Sequence, residues 1–107
     1  MVTLNKAREL ALSFEDAMEL PHFELTSFRI NKKIFATMDE KENRMCLMLT
    51  PMDQSVFCAY DKAVMYPVPN KWGQKGATYV NLKKVRLSML KDAMNQAYQS
   101  KNKKSKK

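Results

Sequence analysis

The ten residues 27–36, SFRINKKIFA, predict the element around which the rest of the fold can be assembled. Two apolar-rich runs flank Asn31 and Lys32, and a two-residue polar insert of this kind predicts a β-hairpin. With these two residues as the turn, Phe28 lies opposite Phe35. Cross-strand partners share a face of the sheet, so Phe28 and Phe35, together with Ile30, predict a core face. The other face of the hairpin carries Arg29, Ile34 and Ala36.

The segment after the hairpin predicts a strand followed by a helix. Residues 44–49 alternate, and they are apolar on both sides, which is typical of a central strand. Thr50 can cap the next helix, Pro51 suits its first position, and Asp53 favours the positive end of the helix dipole. We expect this helix to run to about Asp61. Its apolar side chains at helical spacing are Met52, Val56, Ala59 and Tyr60, and we expect Met52 to fill a core position.

The remaining C-terminal segments predict two strands and a helix. Residues 64–66 form a short strand candidate, and Pro67 and Pro69 after it indicate an edge or a bend. Residues 70–76 contain both glycines of the chain and predict a loop. The last two elements are a fifth strand over 77–82 and an amphipathic helix over roughly 86–99.

The order of these elements predicts the fold class. Thr3 can cap a first amphipathic helix, and Pro21 excludes any helix that extends so far. The result is a two-layer α+β domain over residues 1–100, ordered helix–three strands–helix–two strands–helix, with an antiparallel sheet and helices on one face. The open face is predicted to present Arg29, Ile34, Ala36, Arg44, Cys46, Met48 and Tyr79.

Composition limits the class of protein. A chain of 107 residues has room for one core, and 19 basic against 11 acidic residues give a net charge of +8. Five of the basic residues are lysines in 101–107, a segment expected to be a disordered tail. No apolar run reaches the roughly 20 residues that span a bilayer, and the N-terminus lacks a signal-peptide pattern. We therefore expect a cytoplasmic protein without a membrane partner, in which Cys46 and Cys58 are reduced and packed.

Catalytic chemistry has weak support in the sequence. His22 is the only histidine, and no serine or cysteine is evidently placed for it to activate. One histidine and two separated cysteines make a poor metal set, and Gly73 and Gly76 do not make a phosphate-binding loop. We expect a protein that is not an enzyme and uses no cofactor or metal.

Cations and an aromatic residue suggest a nucleic-acid surface. Lysine and arginine neutralise phosphates, and an aromatic ring can stack on a base. The alternative for each residue is an ordinary solvated surface, with Trp72 packed on the edge of the core. A second hypothesis is a protein-interaction or small-ligand module on the open face, around Met48 and Tyr79. The candidate nucleic-acid-binding residues are Arg29, Lys32, Lys33, Lys71, Trp72, Lys75, Lys83, Lys84 and Arg86.

The order of these features resembles the MmcQ/YjbR-like proteins. The similarity covers the chain except its tail, and it includes the run KIFA at 33–36, the prolines at 67 and 69, and Trp72 and Gly73 before Gly76 and a strand. The resemblance implies the same fold and a DNA-binding function by analogy with a double-winged motif. Two departures concern loops: Lys32 stands where the family usually has glycine, and FEDA at 14–17 replaces a glycine-containing turn.

Overall fold

The hairpin forms where the sequence predicts it, and its turn has the backbone expected of a type I′ connection. Strands Leu25–Ile30 and Lys33–Asp39 flank the turn, and Asn31 and Lys32 have positive φ angles of 53° and 67°. Asparagine tolerates this left-handed region. A lysine there strains its own backbone, because its Cβ crowds the following carbonyl oxygen. Lys32 therefore occupies a conformation that suits glycine.

The computed structural model describes residues 1–102, so residues 103–107 of the predicted tail lie outside the described residues. Lys101, assigned to that tail from the sequence, is still helical. Within residues 1–102 the elements, in chain order, are α1 (Leu4–Leu12), β1 (Met18–His22), β2 (Leu25–Ile30), β3 (Lys33–Asp39), β4 (Arg44–Met48), α2 (Pro51–Cys58), β5 (Met65–Pro67), α3 (Lys71–Gln74), β6 (Ala77–Asn81) and α4 (Leu87–Lys101).

The strands form one antiparallel sheet with the order β1-β2-β3-β4-β6-β5. β4 lies in the interior of the sheet, as its two apolar sides predict. β1 and β5 are the edges, and each contains a proline, Pro21 or Pro67, which an edge strand tolerates because its outward N–H needs no ladder partner. One sheet face and the helices share a single buried cluster. The predicted two-layer α+β class is therefore confirmed.

Two elements have no counterpart in the sequence prediction. β1 has the sequence MELPH, whose side chains are half-buried or exposed, so it lacks the apolar alternation by which strands are recognised. α3 is a single turn, KWGQ, in the segment 70–76 that predicted a loop. Asn70 starts this turn by accepting a hydrogen bond on Oδ1 from the Trp72 N–H, 2.8 Å away.

A β-bulge changes the predicted register of the hairpin. Arg29 lies opposite Ile34 as expected, but Phe28 lies opposite Ala36 instead of Phe35. The extra residue on β3 turns both Phe35 and Ala36 toward the core, and both are fully buried. The expectation that Ala36 lies on the open face is therefore wrong. The predicted core positions of Phe28 and Phe35 are confirmed.

Phe35 belongs to an aromatic cluster that joins the hairpin to the helices. Its ring meets the rings of Phe14 and Tyr98 edge-on, with centroids 6.0 and 5.5 Å apart. Phe14 and Tyr98 stack on each other at 4.8 Å, and the Tyr98 hydroxyl donates a hydrogen bond of 2.5 Å to the Glu15 carbonyl. These contacts hold two elements against β3: the loop that follows α1, and helix α4.

α2 begins as predicted but buries a different side. Thr50 Oγ1 accepts from the Asp53 N–H at 3.2 Å, and the helix ends at Cys58, three residues before the expected end. The side chains that predicted its core stripe are largely exposed: Met52 at 77%, Val56 at 52% and Tyr60 at 70%. The prediction of Met52 as a core residue is therefore wrong. α2 faces the core with the side that carries Cys58, the buried residue of this helix.

Candidate nucleic-acid interface

The strand register brings two of the three predicted cationic groups to one end of the sheet. The hairpin turn carries Lys32, with Lys33 directly after it. β4 ends beside the start of β3, since Leu47 pairs with Ala36. β6 starts beside the end of β4, so α3, which precedes β6, lies at the same end as the hairpin turn. β6, which α3 precedes, lies two strand positions from β3 in the sheet, or roughly 10 Å across it.

The C-terminus of α4 closes the space between these two groups. Asn102 accepts a hydrogen bond from Asn31 Nδ2 at 3.0 Å, and the Ser100 hydroxyl lies 3.1 Å from the Met48 carbonyl at the end of β4. Lys101 consequently joins the cations of the hairpin and of α3. We call Lys32, Lys33, Lys71, Lys75 and Lys101 the basic end. The sequence prediction assigned Lys101 to the tail. Lys101 belongs to the basic end because α4 extends as far as this residue.

The third predicted group does not join the basic end. Lys83, Lys84 and Arg86 follow the last residue of β6, Asn81, which pairs with Arg44 at the start of β4. They therefore lie at the opposite end of the sheet, about 15 Å away along a five-residue strand. This opposite end carries the basic residues Lys41, Arg44, Lys62, Lys83, Lys84 and Arg86, and five acidic side chains offset most of their charge. The acidic side chains are Glu24, Asp39, Glu40, Glu42 and Asp61.

The basic end keeps its charges available to solvent. Lys32, Lys33, Lys71 and Lys75 are exposed and Lys101 is half-buried. In the part of the chain that the structure describes, the salt bridges are Lys6–Glu9, Arg8–Glu19 and Lys41–Glu24, and none of them includes a basic-end lysine.

Carboxylates at the same end lie toward the helical layer. Glu15 and Asp16 are in the loop that holds Tyr98, and burial, with the negative charge of both carboxylates, raises the pKa of that phenol. Asp53 is in the first turn of α2, beside the C-terminal part of α4. Lys101 and the α3 residue Trp72 instead border the open face of the sheet.

Trp72 is held on the surface by the way α3 is seated. A side chain at Gly73 would overlap the Val68 carbonyl, since its Cβ would lie 1.7 Å from that oxygen. Glycine at this position therefore lets α3 press against the chain that follows β5. Trp72 remains 64% exposed, and Lys75 Nζ lies 5.5 Å from its ring centroid, within reach of a cation–π interaction. The alternative that Trp72 packs on the core edge is wrong.

The open face of the sheet forms a groove of about 590 Å³ that reaches the basic end. Its apolar lining includes Ile34, Met48 and Tyr79, which the sequence placed on this face. Trp72 and Lys101 line the groove, so the groove and the basic end share Lys101, and Trp72 lies next to Lys71 of the basic end in the chain. The polar groups along the groove are His22, Thr37, Cys46 and Asn70. Arg29 lies on the same face, with its Nε 3.0 Å from the Ser27 hydroxyl.

Arg44 is a cation beside the groove, at the end of the sheet opposite the basic end. The Arg44 guanidinium stacks 3.9 Å from the centroid of the Tyr79 ring, and its buried Nε has no hydrogen-bond partner among the described residues. Burial opposes the charged form, but Tyr66, Tyr79 and Asp39 outweigh it and raise the pKa of Arg44. Arg44 is therefore a permanent positive charge next to an aromatic surface.

Cys46 has the properties of a packing thiol in the groove floor. Both cysteines are free, and burial is the main cause that raises the pKa of Cys46 to about 11, against the smaller opposing effects of Thr78 and Arg44. Burial likewise raises the pKa of Cys58. Both thiols are consequently protonated at neutral pH, and a thiol is a much weaker nucleophile than a thiolate.

His22 contacts an aromatic neighbour and belongs to no metal-binding group among residues 1–102. The His22 ring packs edge-on against Phe23 at 4.9 Å, at the turn between β1 and β2. Among residues 1–102, the His, Cys, Asp and Glu side chains form no group of three or more that could hold a metal ion. In the same part of the chain, no helix has the length and apolar character that crossing a membrane requires.

Comparison with known proteins identifies the fold. No protein-family model matches the sequence, and no curated protein matches it. The solved structure of protein DR2400 from Deinococcus radiodurans, which carries the family-model domain DUF419, superposes with a TM-score of 0.81. The match covers 100% of this chain and 83% of that one, at 17% sequence identity. The chain has a DUF419 fold. DUF419 is the MmcQ/YjbR-like family, so the fold that the resemblance implied is confirmed. A likeness at 17% sequence identity shows the fold alone, and membership of the family stays a prediction.

Proposed function

We propose that this chain is a non-enzymatic DNA-binding protein of the MmcQ/YjbR type, and that it binds with low sequence specificity through the basic end. One observation supports the proposal most strongly. The strand register and the end of α4 gather five lysines from three separate segments, and none of the five is in a salt bridge within residues 1–102. A cluster of free lysines is the electrostatic footprint expected for a phosphate backbone.

The chemistry of the basic end favours affinity over sequence selection. Its cations are all lysines, which act as flexible point charges and lack the planar fork with which arginine reads guanine. Contacts to phosphates position a protein on nucleic acid but carry no direct sequence information. The four lysines in 103–107 would add salt-sensitive, non-specific attraction of their own.

The structure narrows the surface that was predicted from the sequence. The proposal keeps Lys32, Lys33 and the α3 residues, with Arg29 on the adjoining open face, and it adds Lys101. It leaves out Lys83, Lys84 and Arg86, which lie at the opposite end, where acidic side chains offset most of the positive charge. This division supplies a matched control, because pairs of exposed lysines can be changed at either end of the same sheet.

A salt titration of duplex DNA binding tests the proposal. We expect Lys32→Glu with Lys71→Glu to weaken binding strongly and to lower the slope of log K against log salt by about two, one for each lost phosphate contact. Lys83→Glu with Lys84→Glu makes the same charge change at the opposite end and should leave the slope within about 0.5 of the parent. Equal effects of the two pairs would contradict a localised surface.

The lysines of 103–107 need a separate control. A full-length variant with these four lysines changed to glutamine should bind more weakly but keep the difference between the two glutamate pairs. If that variant no longer binds at all, the tail is the binding segment and the folded domain is not.

A second candidate function is a small-ligand or protein-binding module that uses the open face. The groove of about 590 Å³ favours it, since ligand pockets fall in the range of roughly 300–1,000 Å³ and are mostly apolar. This candidate predicts that Met48→Ala or Tyr79→Ala weakens partner binding, while salt concentration matters little. Binding that is steeply salt-dependent and unaffected by both variants would exclude it.

A further inference from the structure

We infer that the nucleic acid bound by this chain is single-stranded, and that its unstacked bases enter the open-face groove and stack on Trp72. The inference rests on the proposed DNA-binding function and names the form of the ligand. The basic end holds the phosphates, and the groove receives the bases.

Continuity between the groove and the basic end is the first observation. Trp72 and Lys101 line the groove and also border the lysine cluster, so a strand whose phosphates lie on the lysines passes directly over the groove mouth. Duplex DNA presents phosphates on its outside but keeps its bases paired and stacked, which leaves the groove empty. A single strand can turn its bases away from its phosphates and fill the groove.

The environment of Trp72 is the second observation. An indole that is 64% exposed leaves a large apolar ring in water, and glycine at position 73 fixes the helix turn that presents it. A base stacked on this ring removes apolar surface from water and needs no particular sequence, since every base has a flat π-face. Lys75, 5.5 Å from the ring centroid, adds a cation where the sugar–phosphate chain would run.

The polar lining of the groove is the third observation. Asn70 uses its Oδ1 to cap α3, and its Nδ2 has no partner among residues 1–102, so this group can donate to a base. Thr37 and His22 lie along the same groove. The Arg44 guanidinium, stacked 3.9 Å from the centroid of the groove-lining Tyr79, adds positive charge beside the groove. An apolar ligand would leave all of these donors without acceptors.

Trp72 is the only tryptophan of the chain, so its fluorescence reports the proposed stacking directly. The full-length protein is titrated at low salt with a thymidine oligonucleotide of ~12 nucleotides, a length within the usual site sizes, and with a duplex of equal length. We expect the single strand to quench the emission and to bind at least tenfold more tightly than the duplex. The duplex should bind through the lysines and leave the emission nearly unchanged.

Substitution of the ring separates stacking from charge. Trp72→Ala should weaken binding of the single strand by about fivefold to a hundredfold, the range seen when one stacking residue is removed. Duplex binding should change less than twofold. Trp72→Phe should recover most of the loss, and Tyr60→Ala serves as the matched control, since Tyr60 is an exposed aromatic that follows α2 and is not part of the groove lining. Fluorescence anisotropy of a labelled oligonucleotide measures all four proteins.

The possible results distinguish this inference from the function on which it rests. If single strand and duplex bind equally, without quenching and without an effect of Trp72→Ala, the inference is wrong and duplex binding by the basic end survives. If neither binds in a salt-dependent manner, the proposed function falls, and the inference falls with it. If an apolar dye changes the Trp72 emission while the oligonucleotide does not, the groove belongs to an apolar ligand and the inference is overturned.

Discussion

Replacing Lys32 with glycine should stabilise the protein although it removes a side chain. Lys32 has a φ of 67° at the second position of the hairpin turn. An L-residue in this left-handed region costs roughly 1–2 kcal/mol, because its Cβ approaches the following carbonyl oxygen. Glycine has no Cβ and removes this cost, but it loses about 0.5–1 kcal/mol more backbone entropy on folding. We therefore expect Lys32→Gly to raise the free energy of unfolding by about 0.5–1 kcal/mol.

A neighbouring lysine provides the control for this prediction. Lys33 is the first residue of β3 and is equally solvent-exposed, but its φ is not positive. Lys33→Gly removes the same side chain and the same charge while relieving no strain, so it should lower the free energy of unfolding by about 0.5–1 kcal/mol. Lys32→Ala removes the charge and retains Cβ, and it should leave stability within about 0.5 kcal/mol of the parent.

Thermal and urea unfolding followed by circular dichroism measure these differences. For a domain of this size, 1 kcal/mol corresponds to a Tm change of roughly 4–8 °C, so Lys32→Gly and Lys33→Gly should lie on opposite sides of the parent protein. Equal destabilisation by both variants would refute the reasoning, since it would show that position 32 carries no backbone strain. Lys32→Gly should also weaken DNA binding, because it removes a positive charge from the basic end. The same variant should therefore gain stability and lose affinity.

Three further predictions test the packing and the thiol chemistry. Gly76 has a φ of 117°, and a Cβ there would lie 1.9 Å from the Leu49 carbonyl oxygen, so Gly76→Ala should abolish cooperative unfolding as followed by circular dichroism. Cys46, with a pKa of about 11, should react with a thiol reagent at pH 8 far more slowly in the native protein than in urea. Because this folded pKa is raised, the stability that Cys46 contributes is complete below pH ~8.5 and is lost as pH rises through 11, and urea midpoints measured across that range check the sign. Met52→Lys, at an exposed position on α2, should change the free energy of unfolding by less than about 0.5 kcal/mol, whereas Met94→Lys buries a charge and should prevent folding; a Met52→Lys variant that also fails to fold would contradict the orientation of α2.

Local sequence signals predicted those elements whose structure depends on near neighbours in the chain. The turn at Asn31 and Lys32, the cap at Thr50 and the alternation of 44–49 each combine a backbone preference with a pattern that only one secondary structure satisfies. Together they were sufficient for the α+β class and for the interior place of β4. β1 was missed because it lies at an edge, where a strand needs backbone partners but little apolar surface.

Two side chains, Ala36 and Met52, lie on a different side of their element from the one that the sequence predicted. Ala36 was assigned to the open face by strict alternation, and the bulge at Phe35 shifts that alternation by one residue. Met52 fits a helical apolar stripe in the sequence, but contacts with the rest of the fold decide which side of α2 faces the core. Gln54 on that side donates to the Gly73 carbonyl at 2.8 Å and to the Ala77 carbonyl at 3.0 Å.

The amino-acid sequence by itself determined which side chains carry charge and which backbone segments form turns, strands and helices, except β1 and α3. Only the tertiary structure decided which of those charges are neighbours. The lysines of the hairpin, of α3 and of α4 are far apart in the chain and meet because β3, β4 and β6 alternate in direction, while Lys83 and Lys84, closer in sequence to α3, are carried by β6 to the other end. Electrostatic attraction to a phosphate chain depends on distance in space, and strand direction sets that distance.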